Sequence, residues 1–157
     1  MNAVRTLAGV AAVGSGLMAG VYYSFSAIVM PGLRDLSATD GMRAMQVMNV
    51  AAPRPPLLIA LMGTGAVSAA AIAAAAVSGG SARWWIIGGA TLSLASVAIT
   101  AAYNVPRNDL LAALDALDPT AADAWVRYLR EWTFGNHVRS VAAFAGAVML
   151  TVGYRLA

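Results

Sequence analysis

The sequence predicts an all-α membrane protein, a polytopic four-helix bundle with short amphipathic helices in the connections between spans 1 and 2 and between spans 3 and 4. Of its 157 residues, 60% are hydrophobic and 11% are charged, and the mean hydropathy is +0.70. Such a chain has too few polar side chains to cover a soluble domain. Apolar segments at about 6–30, 57–78, 84–103 and 132–156 are each long enough to cross about 30 Å of hydrocarbon. We therefore treat residues 1–157 as a single transmembrane domain.

The composition also excludes several functional classes. The chain has no cysteine, which rules out disulfides, thiolate metal sites and cysteine nucleophiles. Its net charge of +3 is scattered, whereas nucleic-acid binding needs basic residues clustered on one face, so no nucleic-acid partner is expected. All ten basic residues are arginine, and alanine and glycine are abundant, which is typical of a GC-rich bacterial genome. The expected location is the bacterial inner (plasma) membrane.

The first span runs from Thr6 to Met30 without a charge and is expected to end at Pro31. Its apolar run is longer than the core of a signal peptide, so we interpret it as a retained anchor. Gly16 and Gly20 form a small-xxx-small pair at which another helix could approach closely, although glycine is common in spans for other reasons.

The polar connection after this span contains a predicted short helix from Gly41 to about Ala52, capped by Asp40. Four polarisable or amide side chains share one of its faces at spacings of three and four: Met42, Met45, Met48 and Asn49. A methionine face of this kind packs against the bundle or the headgroups, or it adapts to a flat ligand. Both interpretations stay open.

Spans 2 and 3 are joined by the short turn 79–83 and therefore form an antiparallel hairpin. In the connection between spans 3 and 4, leucines recur at helical spacing between Leu110 and Leu117. Pro119 separates this stretch from a second predicted short helix that carries Trp125 and Tyr128.

Four crossings place both termini on one side of the membrane and both long connections on the other. The polar segments at the end of span 1, at 41–52, at 104–109 and at 132–139 must then share one membrane face. The opposite face carries its few arginines in short tails and a short turn, which favours that face as the cytoplasmic one.

Two polar sets recur at helical spacing at the shared face, namely Asn104, Arg107 and Asn108, and Trp132, Asn136 and Arg139. In a purely structural interpretation the asparagines cap helix ends, Arg107 pairs with Asp109 or Glu131, and Arg139 extends to the interface. In the functional interpretation the two sets face each other across a cavity, because polar groups inside a membrane usually point inward.

His137 is the only histidine of the chain and lies at the start of span 4. A metal site within one chain is disfavoured, because no second histidine and no cysteine accompany it. A metal shared between subunits stays open. An imidazole titrates near neutral pH and can abstract an acidic carbon-bound proton as a general base. A structural role for His137 stays open too.

Four segments of the chain resemble motifs of the anthrone oxygenase-like family of small four-span membrane proteins. They are 25–33 (Phe-Ser-Ala-Ile-Val-Met-Pro-Gly-Leu), 44–49 (Ala-Met-Gln-Val-Met-Asn), 103–109 (Tyr-Asn-Val-Pro-Arg-Asn-Asp) and 132–139 (Trp-Thr-Phe-Gly-Asn-His-Val-Arg). The segments occur in order along nearly the whole chain.

The resemblance implies oxidation of an anthrone-like aromatic to a quinone with dioxygen as co-substrate and without a flavin or haem, so no cofactor is predicted. The catalytic residues would be His137 as general base and Asn104, Asn108, Asn136 and Arg139 as donors to an oxyanion. The substrate-binding residues would be Trp132, Phe25, Met48, Asn49, Arg107 and Asp109.

Two other functions stay open. The protein could bind or carry a hydrophobic ligand such as a quinone or a lipid without turnover, or it could be a structural subunit whose alanine and glycine faces make oligomer contacts. The expected partners are accordingly membrane lipid, a hydrophobic small-molecule substrate and, for the third function, further copies of the chain.

Overall fold

The computed structural model describes residues 3–157, and these residues form helices and no strand. The five helices are α1 (Ala3–Arg34), α2 (Ala38–Ala51), α3 (Pro55–Ala76), α4 (Ala82–Ala112) and α5 (Ala122–Leu156), and a 3₁₀ turn at Pro119–Ala121 precedes α5. The all-α prediction is confirmed.

The four long helices each pack against two neighbours. Helix α1 contacts α3 and α5, and α4 contacts the same two helices. Small side chains fill the centre at one end, where Ala8, Ala71 and Ala90 are fully buried. At α4 and α5 the backbones come very close, because a Cβ added to Gly89 would lie 2.8 Å from the Gly146 carbonyl oxygen.

The small-residue pair of α1 does not make such a contact. A Cβ on Gly16 would have its nearest neighbour, the Ala147 Cβ, at 3.9 Å, and one on Gly20 would meet no atom within 4 Å. A close approach of two helix backbones occurs instead at Gly89 and Gly146, and Gly16 and Gly20 fit the alternative interpretation of glycines that are common in spans for other reasons.

Three helices of the described chain, α1, α3 and α4, are long and apolar enough to cross a membrane. This supports a membrane protein. Helix α5 is not among them, since it carries five charged residues before its apolar half begins: Asp123, Arg127, Arg130, Glu131 and Arg139. A fourth crossing by α5 remains a prediction.

Pro31 was expected to end the first helix, but it does not do so. Helix α1 continues through Pro31 to Arg34 because the preceding turn, Phe25–Val29, is a π-helix, in which the Met30 N–H donates to the Phe25 carbonyl oxygen five residues earlier. The π turn Thr100–Asn104 precedes Pro106 in the same way within α4. A wider turn accommodates a ring that would clash with the carbonyl four residues back in a regular helix.

The connection between α4 and α5 contains no separate short α-helices in the described structure, so that prediction is wrong. Leu110 belongs to the last turns of α4, and Trp125 and Tyr128 belong to the first turns of α5. No proline follows Pro119, so nothing interrupts α5 before Leu156.

A short helix between spans 1 and 2 is present as predicted, but it begins three residues earlier than expected. Ser37 caps α2: its Oγ accepts from the Asp40 N–H at 3.1 Å and donates to Asp40 Oδ2 at 2.6 Å. The predicted cap, Asp40, therefore lies inside the first turn, where it forms reciprocal hydrogen bonds with the true cap.

The polar segments meet at one end of the bundle, as the count of crossings predicted. A buried cluster there joins Met30 of α1, Met42 and Met45 of α2, Leu111 of α4 and Trp132 of α5. Met42 and Met45 are each 1% exposed, so these two methionines pack inward, whereas Met48 is only partly buried.

Candidate functional site

A cavity of about 400 Å³ opens at this end of the bundle, lined by residues from all five helices. Seven of the predicted site residues line it: Phe25, Met48, Asn49, Asn108, Asp109, Trp132 and Arg139. Four do not: Asn104, Arg107, Asn136 and His137. Most of the other lining residues are apolar, including Leu57, Leu58 and Leu61 from the start of α3.

Arg139 is the buried cation of the cavity, with 6% of its surface exposed. Its Nε and Nη2 donate to Asn136 Oδ1 at 2.9 and 2.7 Å, and its Nη1 donates to Thr100 Oγ1 at 3.1 Å. The guanidinium carbon lies 4.2 Å from the centre of the Tyr22 ring and 5.1 Å from that of the Trp132 ring. Of the five N–H groups of an arginine, three are thus used and two are left.

No carboxylate lies within 4 Å of Arg139 in the part of the chain that the structure describes. The ion pair found among the described residues joins Arg107 Nε to Glu131 Oε2 at 3.2 Å and does not involve Arg139. Burying a charge is costly unless it is paired, so an uncompensated guanidinium in an apolar cavity favours an anionic or electron-rich oxygen as its partner.

Asn136 holds the guanidinium in place. It is fully buried, and its Nδ2 donates to the Tyr22 carbonyl oxygen and to Ser26 Oγ, both at 2.7 Å. Its amide nitrogen is therefore committed to α1 and its oxygen to Arg139. We infer that Asn136 positions Arg139 rather than contacting a ligand, since it does not line the cavity.

His137 lies outside the cavity. Its side chain is exposed, and its Nδ1 lies 2.8 Å from Ser26 Oγ, the same hydroxyl that accepts from Asn136. The ring lines two grooves on the outer surface of the bundle. Ser26 and Asn136 thus stand between the imidazole and Arg139.

Asn104 and Arg107 make contacts that tie α4 to α5 in this geometry. Asn104 is 1% exposed and its Nδ2 donates to the Trp132 carbonyl oxygen at 3.1 Å, which ties α4 to α5. It makes no helix cap, contrary to the structural interpretation of the sequence. Arg107 pairs with Glu131, one of its two predicted partners, and its Nη1 donates to the Tyr103 carbonyl oxygen at 2.9 Å.

Two lining residues of the cavity, Asn49 and Asn108, both contact Tyr128 behind the cavity wall. Its hydroxyl donates to Asn108 Oδ1 at 2.9 Å and lies 3.5 Å from Asn49 Nδ2. Tyr128 precedes the fourth predicted span, and burial raises its pKa above the ordinary value, so the phenol stays protonated. Asp109 supplies an exposed carboxylate among the lining residues.

Sequence reasoning missed three residues that build the site: Tyr22, Ser26 and Thr100. Each contacts Asn136 or Arg139 from a distant helix. Tyr22 and Thr100 also touch each other, with their hydroxyl oxygens 3.2 Å apart. The signal that could have found them is the pair of prolines, because each follows a π turn: Ser26 and Thr100 lie within these turns, and Tyr22 lies three residues before the first.

No group of three or more histidine, cysteine or acidic side chains within residues 3–157 is placed to hold a metal ion. No curated protein and no solved structure matches the chain. The family model described as anthrone oxygenase matches residues 45–149, which is about two thirds of the sequence and includes the segments 104–109 and 132–139. The chain belongs to the anthrone oxygenase family.

Proposed function

We propose that the cavity binds a flat, hydrophobic aromatic molecule with an ionisable oxygen and that the protein oxidises it with dioxygen, as the family name suggests for an anthrone. The observation that carries this proposal is Arg139, a buried cation without a carboxylate partner among the described residues, on the wall of an otherwise largely apolar cavity.

The cavity suits such a ligand in size and shape. Its volume of about 400 Å³ lies within the range of roughly 300 to 1,000 Å³ for small-molecule sites. Phe25 and Trp132 present their rings at 5.6 Å between centres, and Met48 adds a polarisable side chain beside them. Aromatic and thioether groups of this kind favour a fused ring.

The chemistry follows from charge development. Loss of a proton from the acidic methylene of an anthrone gives an aromatic anion with its charge on oxygen. This anion reduces dioxygen, and the balanced outcome is one quinone and one water for each anthrone and dioxygen consumed. A fixed cation stabilises the anion, and loss of one such donor typically costs about 10²- to 10³-fold in rate.

The proton acceptor needs a group within reach of the substrate. Asp109 lines the cavity, and we assign it this role. His137, the base expected from the sequence, contacts the network through Ser26. Its proposed role is therefore to position Asn136, and through it Arg139.

The test is turnover of an anthrone-type aromatic by purified protein, measured as oxygen uptake and quinone absorbance. Arg139→Gln should lower kcat/KM by about 10²- to 10³-fold, because the anion loses its cation. Arg127→Gln is the matched control, since Arg127 is an exposed arginine of the same helix that does not line the cavity, and it should leave turnover unchanged. Full activity in Arg139→Gln would refute the proposal.

Binding or carriage of a hydrophobic ligand, such as a quinone or a lipid, is the second candidate. The position of His137 outside the cavity favours it, because the imidazole expected to act as base does not reach a bound ligand directly. This function predicts saturable binding of the aromatic by the wild-type protein without oxygen uptake, so the same assay separates the two.

A further inference from the structure

A second concave surface lies on the outside of the bundle, between the end of α1 and the first half of α5. This outer groove has a volume of about 590 Å³. Its apolar wall includes Leu36, Val126 and Phe134, and its polar residues include Arg34, Arg130 and His137. Within residues 3–157 the outer groove and the cavity share no lining residue, so the two are separate sites.

The position of Arg34 at the end of α1 indicates that the outer groove lies at the level of the lipid headgroups. Arg34 is the last residue of α1, a candidate membrane span, and therefore lies where that helix leaves the apolar layer. On α5 the groove extends from Trp125 to His137, roughly 18 Å at about 1.5 Å per residue. It is thus long enough to take a headgroup and the first part of an acyl chain.

The charge in the outer groove is positive and unpaired. Arg34 and Arg130 are both exposed, and neither has a carboxylate within 4 Å in the described chain. None of the described residues that line the groove is acidic. The neighbour of Arg130 in sequence, Glu131, is bound to Arg107 instead. Thr133, which also lines the groove, has a buried Oγ1 without a hydrogen-bond partner there.

We propose that the outer groove binds an anionic phospholipid, with the phosphate between Arg34 and Arg130 and an acyl chain that runs from there along Phe134 toward the apolar half of α5. Guanidinium groups recognise phosphate oxygens by charge-assisted hydrogen bonds. Basic pockets beside membrane helices are recurrent sites for acidic headgroups. A free phosphate would use the two arginines but would leave the apolar wall uncovered.

The test compares retention of phosphatidylglycerol and phosphatidylcholine by the full chain. Delipidated protein is equilibrated with mixed micelles of the two lipids, and bound lipid is counted by native mass spectrometry. Wild type should retain phosphatidylglycerol selectively. The double variant Arg34→Gln, Arg130→Gln should bind it about 25-fold more weakly, from a factor of about five for each arginine near a membrane surface. Arg127→Gln, an exposed arginine of α5 outside the groove, should bind as wild type does.

Two further arms make the result decisive. The double variant Arg34→Lys, Arg130→Lys keeps the charge and should retain most of the selectivity, and both single glutamine variants should each lose about five-fold. Inorganic phosphate alone should not raise the apparent Tm as phosphatidylglycerol does. Equal retention by wild type and the double glutamine variant, equal binding of both lipids, or full stabilisation by phosphate alone would each overturn the proposal.

Discussion

Arg139 makes three hydrogen bonds, and all of them go to neutral groups. Asn136 Oδ1 accepts two and Thr100 Oγ1 accepts one. The rings of Tyr22 and Trp132 add cation–π attraction without cancelling the charge. The protein therefore fixes the guanidinium but leaves its charge to be balanced by something else, and the cavity beside it is where a ligand anion would supply the balance.

The residues of α5 show what helical spacing can predict about the site and what it cannot. Trp132, Asn136 and Arg139 follow one face at intervals of four and three, and this spacing correctly brought them together. The same geometry rotates His137 by about 100° from Asn136, and the structure places it on the outside. Neighbours in sequence therefore do not line the same cavity, and a catalytic role for His137 stays a prediction.

If His137 acts through Ser26, removal of either side chain should have the same effect. Ser26→Ala and His137→Ala should each lower turnover about tenfold, less than the roughly 10²- to 10⁴-fold expected for a lost general base. The double variant should be no worse than either single one, because the two residues then act as one unit. Steady-state kinetics of the wild type, the two single variants and the double variant complete this double-mutant cycle.

Additive losses in the double variant would contradict action through Ser26. Loss of ligand affinity in His137→Ala alone would contradict it as well. Circular dichroism is the control for folding, since His137 is exposed and its removal should leave the helices intact.

At the scale of the helices, the two π turns shape the site. One lies in α1 at Phe25–Val29 and the other in α4 at Thr100–Asn104, each two residues before a proline. The sequence contains both prolines, and we interpreted Pro31 as a helix end. The local sequence shows that a proline disrupts a regular α-helix. Packing against α5 decides whether the helix bends, ends or forms a π turn with one extra residue.

The crossing of α4 and α5 depends on two glycines. We predict that Gly89→Ala lowers the apparent Tm, because its Cβ would lie 2.8 Å from the Gly146 carbonyl oxygen and the Leu150 nitrogen. Overpacking of this kind costs about 1 to 3 kcal/mol. Gly20→Ala is the control, since its Cβ would meet nothing within 4 Å. A thermal scan that finds the two variants equally stable would show that the helices separate without cost.

At the scale of the whole molecule, the even number of predicted crossings placed the polar segments at one end of the bundle. The buried cluster at that end agrees with this prediction. Composition was sufficient to predict the helical class and the three candidate spans. It was not sufficient for α5, because the polar half that supplies Asn136 and Arg139 is also the half that lowers its hydropathy. A cavity of about 400 Å³ also disfavours the purely structural subunit, because such a subunit has no use for a cavity of ligand size.

The fourth crossing can be tested by cysteine labelling, since the chain has no cysteine of its own. Ser81→Cys and Ala157→Cys should react with an impermeant maleimide from opposite sides if α5 does not cross, and from the same side if it does. We expect the same side, with Thr120→Cys labelled from the other side. Labelling of Ala157→Cys together with Thr120→Cys would refute four crossings.

The central claim, that Arg139 balances a ligand anion in the cavity, is tested most directly by the ionisation of a bound ligand. An anthrone-type phenol changes its absorbance on deprotonation, so its pKa can be read by titration without oxygen. We predict that wild-type protein lowers the ligand's pKa by about one to three, because a neighbouring cation favours the anion. In Arg139→Gln the ligand should bind with its pKa as in detergent alone. An equal pKa in the two proteins would contradict the account.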